Sequence, residues 1–254
     1  MNKVDAIVLA GAPAGEEMIR EGALKSRAMI RLGDKTMLQW VVDALREAPS
    51  VGRIAVIGDV AADGLDMVVQ PGDDLVSNIK LGIDALKPNG YALIVSSDIP
   101  LITGEAVEDF LRRAQEMNVD LAYPILPKTH CVKRYPDLQR TYLKTADGVF
   151  TGGNLMLASP RFFEQSWGAI ANAYAARKQL LKLARMIGMS VLLRVVAAQV
   201  VPQFLRLSML ERAVSRMLDA KVAAVVSAYP EIGEDVDKPS DLEVVRRILS
   251  SERS

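Results

Sequence analysis

The chain has 254 residues, half of them hydrophobic, with 31 basic and 31 acidic residues and a formal net charge of zero. That length supports one large core or a core with a smaller subdomain, and the balanced charge carries no positive field that argues for nucleic acid as the main partner. A single cysteine, Cys131, excludes a disulfide within the chain, and with a single histidine, His130, no zinc cluster can form, so any metal must take oxygen ligands, which points to magnesium.

The opening Met1-Asn2-Lys3-Val4-Asp5 runs straight into Ala6–Ala10, an apolar run that reads as a buried strand. No signal-peptide pattern precedes it, and a reducing, cytoplasmic location is the simple expectation. Gly11-Ala12-Pro13-Ala14-Gly15 follows. A strand and then a glycine loop suggests a phosphate cradle, because backbone N–H groups can approach an anion closely there. Pro13 stands where a dinucleotide fingerprint needs its second glycine, and no Gly-Lys-Ser/Thr follows for a P-loop. The next loop carries Arg20, Lys25, Arg27 and Arg31. Together they suit a triphosphate; taken singly, each reads as a solvated loop residue.

Met37–Ala48 is an amphipathic helix with Leu38, Val41, Val42 and Leu45 on one face. Arg53–Ile57 and Met67–Gln70 are strands, and Leu75–Leu86 is a helix with Ser77 and Asn78 in its first turns. Those two side chains suit either the edge of a nucleobase or ordinary capping. Ala92–Val95 is a strand buried on both faces, closed by Ser96-Ser97-Asp98-Ile99-Pro100. Ligands in open α/β sheets bind beyond the carboxyl ends of the strands, so Asp98 sits either at a metal or phosphate site or as a cap near Thr103. Thr103 caps a helix reaching about Glu116, and Asp120–Leu126 is a further strand.

From Pro127 the character changes. Lys128, His130, Lys133, Arg134 and Arg140 read as a basic loop, and Ala146-Asp147-Gly148 as a hairpin turn between Thr141–Lys144 and Val149–Thr151. Thr151-Gly152-Gly153-Asn154 leads into the strand Leu155–Ala158; the paired glycines suit close approach to a ligand or a β-bulge. Residues 160–220 read as helices. Within them Lys178, Lys182 and Arg185 form a basic stripe that suits an acceptor phosphate, anionic headgroups or simply solvent, the last being preferred. Contact with a membrane surface through 179–205 is the less favoured alternative. The uncharged run Val195–Leu205 is eleven residues, short of the roughly 20 that span a bilayer. Lys221–Ser227 is a last strand, and Ser240-Asp241-Leu242-Glu243 reads as a capping box opening a final helix.

The order of elements predicts an α/β fold: a wound, mostly parallel sheet, Rossmann-like in three layers. We expect a single domain over 1–254 with a helical insertion at 160–220.

Three stretches together carry a resemblance: Leu9-Ala10-Gly11-Ala12 after the first strand, Ser97-Asp98-Ile99-Pro100 after the central one, and Asp235-Val236-Asp237-Lys238-Pro239 before the last helix. With them the chain resembles the MobA-like NTP transferases, nucleotidyltransferases of the GT-A fold. Arg140-Thr141-Tyr142 and Thr151–Asn154 resemble a less characterised bacterial branch. The likeness covers about residues 5–158 and 221–250. It implies a reaction in which an NTP and a phosphorylated or hydroxylated small-molecule acceptor give a nucleotidyl-acceptor and pyrophosphate.

By the same resemblance, Leu9, Ala10, Gly11 and Ala12 wrap the nucleotide, with Ser77 and Asn78 as further candidates. Asp98 and Asp237 hold Mg2+, and Arg27 or Lys25 supplies the cation for the phosphates. The acceptor is expected near Arg140, Thr151, Gly152, Gly153 and Asn154. The family's Leu-Ala-Gly-Gly ends here in Ala12, and its lysine position is filled by Arg27. Two alternatives follow. A glycosyltransferase of this fold would use an Asp-x-Asp where this chain has Ser96-Ser97-Asp98, and a non-catalytic nucleotide-binding regulator would accommodate Ala12 and Arg27.

Overall fold

The structure, a computed structural model, describes residues 3–11, 26–176, 179 and 186–251. Ala12 and Lys25, with Arg20, lie outside the described residues, as do Lys178, Lys182 and Arg185.

The first strand, β1 (Val4–Leu9), is the axis of the sheet. It pairs in parallel with β4 (Val51–Ile57) on one side and β6 (Ala92–Ser96) on the other, so that Ile7 lies between Ala55 and Ile94. Ala6, Ile7 and Val8 are fully buried, as expected of β-branched runs covered on both faces. A short strand, β5 (Met67–Val69), continues the parallel set beyond β4.

Period-two alternation sends the two sets of side chains into two cores. Val4, Ala6, Val8, Val56, Leu93 and Val95 pack with helices α1 (Met37–Glu47) and α3 (Gly104–Glu116). Ile7, Ala55, Ile57 and Ile94 pack on the opposite face with α2 (Leu75–Leu86) and with Phe162 and Phe163 of α5 (Pro160–Ala176). Helix and sheet come close at Gly82, where a Cβ would stand 2.5 Å from Cγ2 of Ile7. Local caps set the helix starts: Thr36 Oγ1 accepts from the Gln39 amide and Thr103 Oγ1 from the Ala106 amide.

Beyond β6 the sheet becomes mixed. β10 (Leu155–Ala158) inserts antiparallel between β6 and β7 (Leu121–Pro127). β9 (Gly148–Gly152) pairs with the far end of β7 and with β8 (Leu143–Thr145), while β11 (Val222–Val226) runs parallel to β7. The sheet has nine strands, and all but β9 and β10 point the same way. This is the wound, mostly parallel α/β sheet expected from the order of elements.

Three details correct the sequence reading. Residues 31–36 are not loop: β2 (Arg31–Leu32) and β3 (Lys35–Thr36) form a small hairpin turning at Gly33, whose φ is +71°. The basic loop after Pro127 begins as helix α4 (Lys128–Arg134), which has no side-chain cap and only Cys131 buried, so it gives no periodic signal. The 160–220 region includes α5, α6 (Met189–Ala198) and α7 (Leu207–Leu218). Within it, as helices expected from the sequence, α5 and α7 supply Phe162, Phe163 and Leu218 to the second core. The final helix, α8 (Pro239–Ser251), starts at proline, and the carboxylate of Asp241 takes the amides of Asp237 and Lys238 at 3.3 Å each, in place of the box at Ser240. No helix of the described residues is long and apolar enough to cross a membrane.

Candidate active site

The carboxyl end of β6 delivers Ser96, Ser97 and Asp98 into a cleft of about 440 Å3. Asp98 is only 7% exposed, and both its carboxylate oxygens are engaged. Oδ1 receives the Ser96 hydroxyl, and Oδ2 receives a guanidinium nitrogen of Arg27 at 2.6 Å. The Asp98 carbonyl accepts the Val236 amide at 2.9 Å, which ties the 234–237 loop to the end of the central strand.

Arg27 is placed by the residue before it. Ser26 Oγ donates to the Ala10 carbonyl at 2.8 Å and accepts from the Ala28 amide, fixing a single helical turn, Arg27–Met29, against the end of β1. From there one guanidinium serves two carboxylates: Asp98 through one nitrogen, and Asp237 Oδ1 at 2.7 Å and the Val236 carbonyl at 3.2 Å through the other. The planar fork of arginine suits such a bridge, which a lysine would make only as a point charge. The structure thus brings Arg27, Asp98 and Asp237 to one point.

Arg140 turns to the same loop from the other side. Its Nε donates to Glu234 at 3.0 Å, and its other nitrogens to the carboxylate and carbonyl of Asp235. Asn154 Nδ2 also donates to Asp235, at 3.3 Å. Burial pushes the Glu234 and Asp235 carboxyls up, against the opposing charge of Arg140. Burial works the same way on Asp237, but the hydrogen bond and charge of Arg27, with the charge of Arg140, help hold that carboxyl below its usual range.

The break between β9 and β10 forms the opposite wall. The Gly153 amide binds the Pro124 carbonyl at 3.0 Å, the Asn154 amide binds the Ile232 carbonyl at 2.9 Å, and the Asn154 carbonyl accepts from Ser96 at 3.0 Å. The glycines are required by protein neighbours. A Cβ on Gly153 would stand 2.7 Å from Ile232 and 2.8 Å from Pro124, and one on Gly152 would stand 2.5 Å from the Tyr123 hydroxyl. Gly153 and Asn154 line the cleft; Thr151, Gly152 and Arg140 do not.

On the side of β1 the lining includes Leu9, Gly11 and Asn78. Asn78 Oδ1 accepts the Gly72 amide at 2.7 Å, and a Cβ on Gly11 would stand 2.9 Å from Asn78 Nδ2, so the loops after β1 and β5 meet at this side chain. Ser77 does not line the cleft. It forms a reciprocal capping box with Asp74, the alternative that its position suggested. Ala10 is 1% exposed and also stays out of the lining. Tyr123, Met156 and Tyr174 complete the cleft. Tyr123 is two residues into an ordinary strand, and Tyr174 is fourteen residues into a helix; no local motif marks either one.

Known proteins share this fold. The model of the MobA-like NTP transferase domain matches residues 6–200. A structure described as a hypothetical transferase from Thermus thermophilus is 33% identical, with a TM-score of 0.83 over 94% of this chain and 99% of that one. The fold is shared with 2-C-methyl-D-erythritol 4-phosphate cytidylyltransferase, also from Thermus thermophilus, at 17% identity and a TM-score of 0.54, over 98% and 99% of the two chains. It is shared too with a CMP:2-keto-3-deoxy-manno-octonic acid synthetase in complex with CTP, at 14% and 0.54, over 99% and 100%. No curated protein matches the chain. With more than three quarters of its length matched by the family model, the chain belongs to the MobA-like NTP transferase domain family.

Proposed function

We propose that the protein is a magnesium-dependent nucleotidyltransferase that moves an NMP from an NTP to a phosphorylated or hydroxylated small-molecule acceptor and releases pyrophosphate. The observation that carries this reading is the Arg27 bridge: one cation held between Asp98, which lines the cleft at the carboxyl ends of parallel strands, and Asp237 at its exposed edge. The nucleotide lies on the Leu9, Gly11 and Asn78 side. The acceptor enters from Gly153 and Asn154. Ala10 and Ser77 shape the first wall from behind it, and Arg140, Thr151 and Gly152 position the second.

The donor set fits magnesium. Two carboxylates that would repel each other already share a positive group, and magnesium is commonly held by one or two carboxylates together with substrate phosphates. Bound between Asp98 and Asp237, the ion would neutralise charge on the phosphates. The remaining work belongs to the chain. Arg27, released from its carboxylates, has the fork and the charge to hold the departing pyrophosphate. Asn78 fixes the loops around the nucleotide, and Asn154 and Tyr123 set the acceptor's approach for an in-line attack on the α-phosphorus. In that attack an acceptor oxygen–phosphorus bond forms as the bond to pyrophosphate breaks.

The test is pyrophosphate release with ATP, CTP, GTP and UTP, each with and without magnesium, against phosphorylated and hydroxylated small acceptors. Release that requires both magnesium and an acceptor is the expected result. Nucleotide binding with no release on any acceptor would replace the transferase with a binding protein.

A further inference from the structure

Helix α6 turns an apolar face outward. Met189, Leu193, Val196 and Val200 are 46%, 64%, 63% and 86% exposed, and Phe204, just beyond, is 50% exposed. At about 100° per residue Met189, Leu193 and Val196 fall within about 60° of one another, forming a ridge, and Val200 and Phe204 follow just past the helix end. The opposite side of the helix buries Val191 and Ala198. A surface helix ordinarily puts its apolar residues inward and its polar ones outward. This one is apolar on both sides, and no described residue covers the outer side.

The segment that contains the ridge is basic in sequence. From Gln165 to Leu210 the sequence has six basic residues and no acidic one. Arg194, whose guanidinium donates to the Phe204 carbonyl at 3.2 Å, and Arg206 are exposed, as is Lys144 on β8, whose Nζ donates to the Gln199 carbonyl at 2.8 Å. Two acids flank the region, and each already accepts from a backbone amide. Asp147 takes the Leu207 amide at 2.8 Å, and Glu211 takes the Ala224 amide at 2.9 Å.

The ridge also lies at the cleft end of the molecule. Pro127, at the carboxyl end of β7, pairs with Phe150, and the β8–β9 turn extends past it. The Ala146 amide of that turn donates to the Leu205 carbonyl at 2.7 Å, which fastens the end of the ridge to it. The preceding helix, α5, brings Tyr174 into the cleft lining.

We infer that this ridge docks the protein on an anionic lipid surface, with the apolar side chains entering the headgroup boundary and Arg194, Arg206 and Lys144 meeting the headgroups. A second copy of the chain fits less well. Five side chains, three on α6 and two just past it, fall far short of the about 20 residues a side that a stable interface uses, and a self-contact would set like charges together. A narrow apolar face with basic flanks is what interfacial binding uses. The inference stands apart from the proposed reaction, because its readout is binding.

The experiment is co-sedimentation of the full chain with vesicles of phosphatidylcholine alone and of phosphatidylcholine with phosphatidylglycerol, at low and high salt. It is run beside the triple variant Leu193→Gln/Val196→Gln/Val200→Gln, and analytical ultracentrifugation is run on both proteins. Expected are binding to the phosphatidylglycerol vesicles that weakens with salt, a drop of about tenfold or more in the variant at an unchanged melting temperature, and monomers in both cases. Absence of binding to the anionic vesicles overturns the inference. So does binding that the variant retains, or a dimer that the variant dissolves.

Discussion

Arg140 and Glu234 face each other at 3.0 Å with side chains only 14% and 1% exposed, and through this pair the chain after α4 fixes the loop that carries Asp237. Removing one partner leaves the other charge buried. Arg140→Ala is therefore expected to cost about 3–5 kcal/mol in urea denaturation, with Arg140→Lys intermediate because a lysine cannot serve Glu234 and Asp235 together. A loss of turnover at unchanged stability would instead make Arg140 a substrate contact.

Asp98 and Asp237 are predicted to act through charge and not through fold. Asp98→Asn keeps an acceptor for the Ser96 hydroxyl, and the side chain of Asp237 is 63% exposed at the end of an otherwise buried loop. Either asparagine variant should lose at least about a hundredfold in pyrophosphate release while melting within a few degrees of wild type. Wild-type-like release in either one would remove the metal site.

A metal ion bound at Asp98 and Asp237, as proposed, would compete with Arg27 for the same carboxylates. Arg27→Ala should consequently tighten magnesium or manganese binding, measured by calorimetry without nucleotide, and at the same time lower pyrophosphate release. If both quantities fall together, Arg27 assists the metal instead of standing in its place.

Gly153→Ala tests the break between β9 and β10. The added methyl meets Pro124 and Ile232 inside 3.0 Å, and the proline ring cannot rotate away. A loss of about 1–3 kcal/mol in folding stability is expected from chemical denaturation. A neutral result would mean that the 230s loop yields easily, and that Asn154 is not held by it.

Cys131 gives the fold an alkaline limit. Burial, with the nearby Glu234 charge, pushes its thiol from an ordinary 9.0 up to about 11. A raised acid stabilises the fold fully below its unfolded pKa, and that contribution is lost as pH rises through the folded one. Melting temperature should therefore fall between pH 9.0 and about 11, and Cys131→Ala should flatten part of that slope. An identical slope in the variant would assign the loss to other groups, such as Tyr142, whose hydroxyl is pushed up to about 12.

By itself the sequence determined the elements whose signals are local. The runs at Ala6–Ala10 and Ala92–Val95 could only be strands buried on both faces, and Thr103 marked a helix start, because burial pattern and capping act over a few residues. Asp98 was legible for the same reason, standing where a strand must stop.

Only the tertiary structure decided what the candidate residues touch. Arg27 meets Asp237 across 210 positions, and Arg140 faces a loop 94 positions away rather than open solvent. The insertion of β10 between β6 and β7, the arrival of Tyr174 in the cleft and the outward turn of Leu193 and Val196 depend likewise on which surfaces pack together. Hydrophobic periodicity says that a helix has an apolar stripe. It does not say which neighbour covers that stripe, or that none does, because that choice is made by packing between elements far apart in the chain.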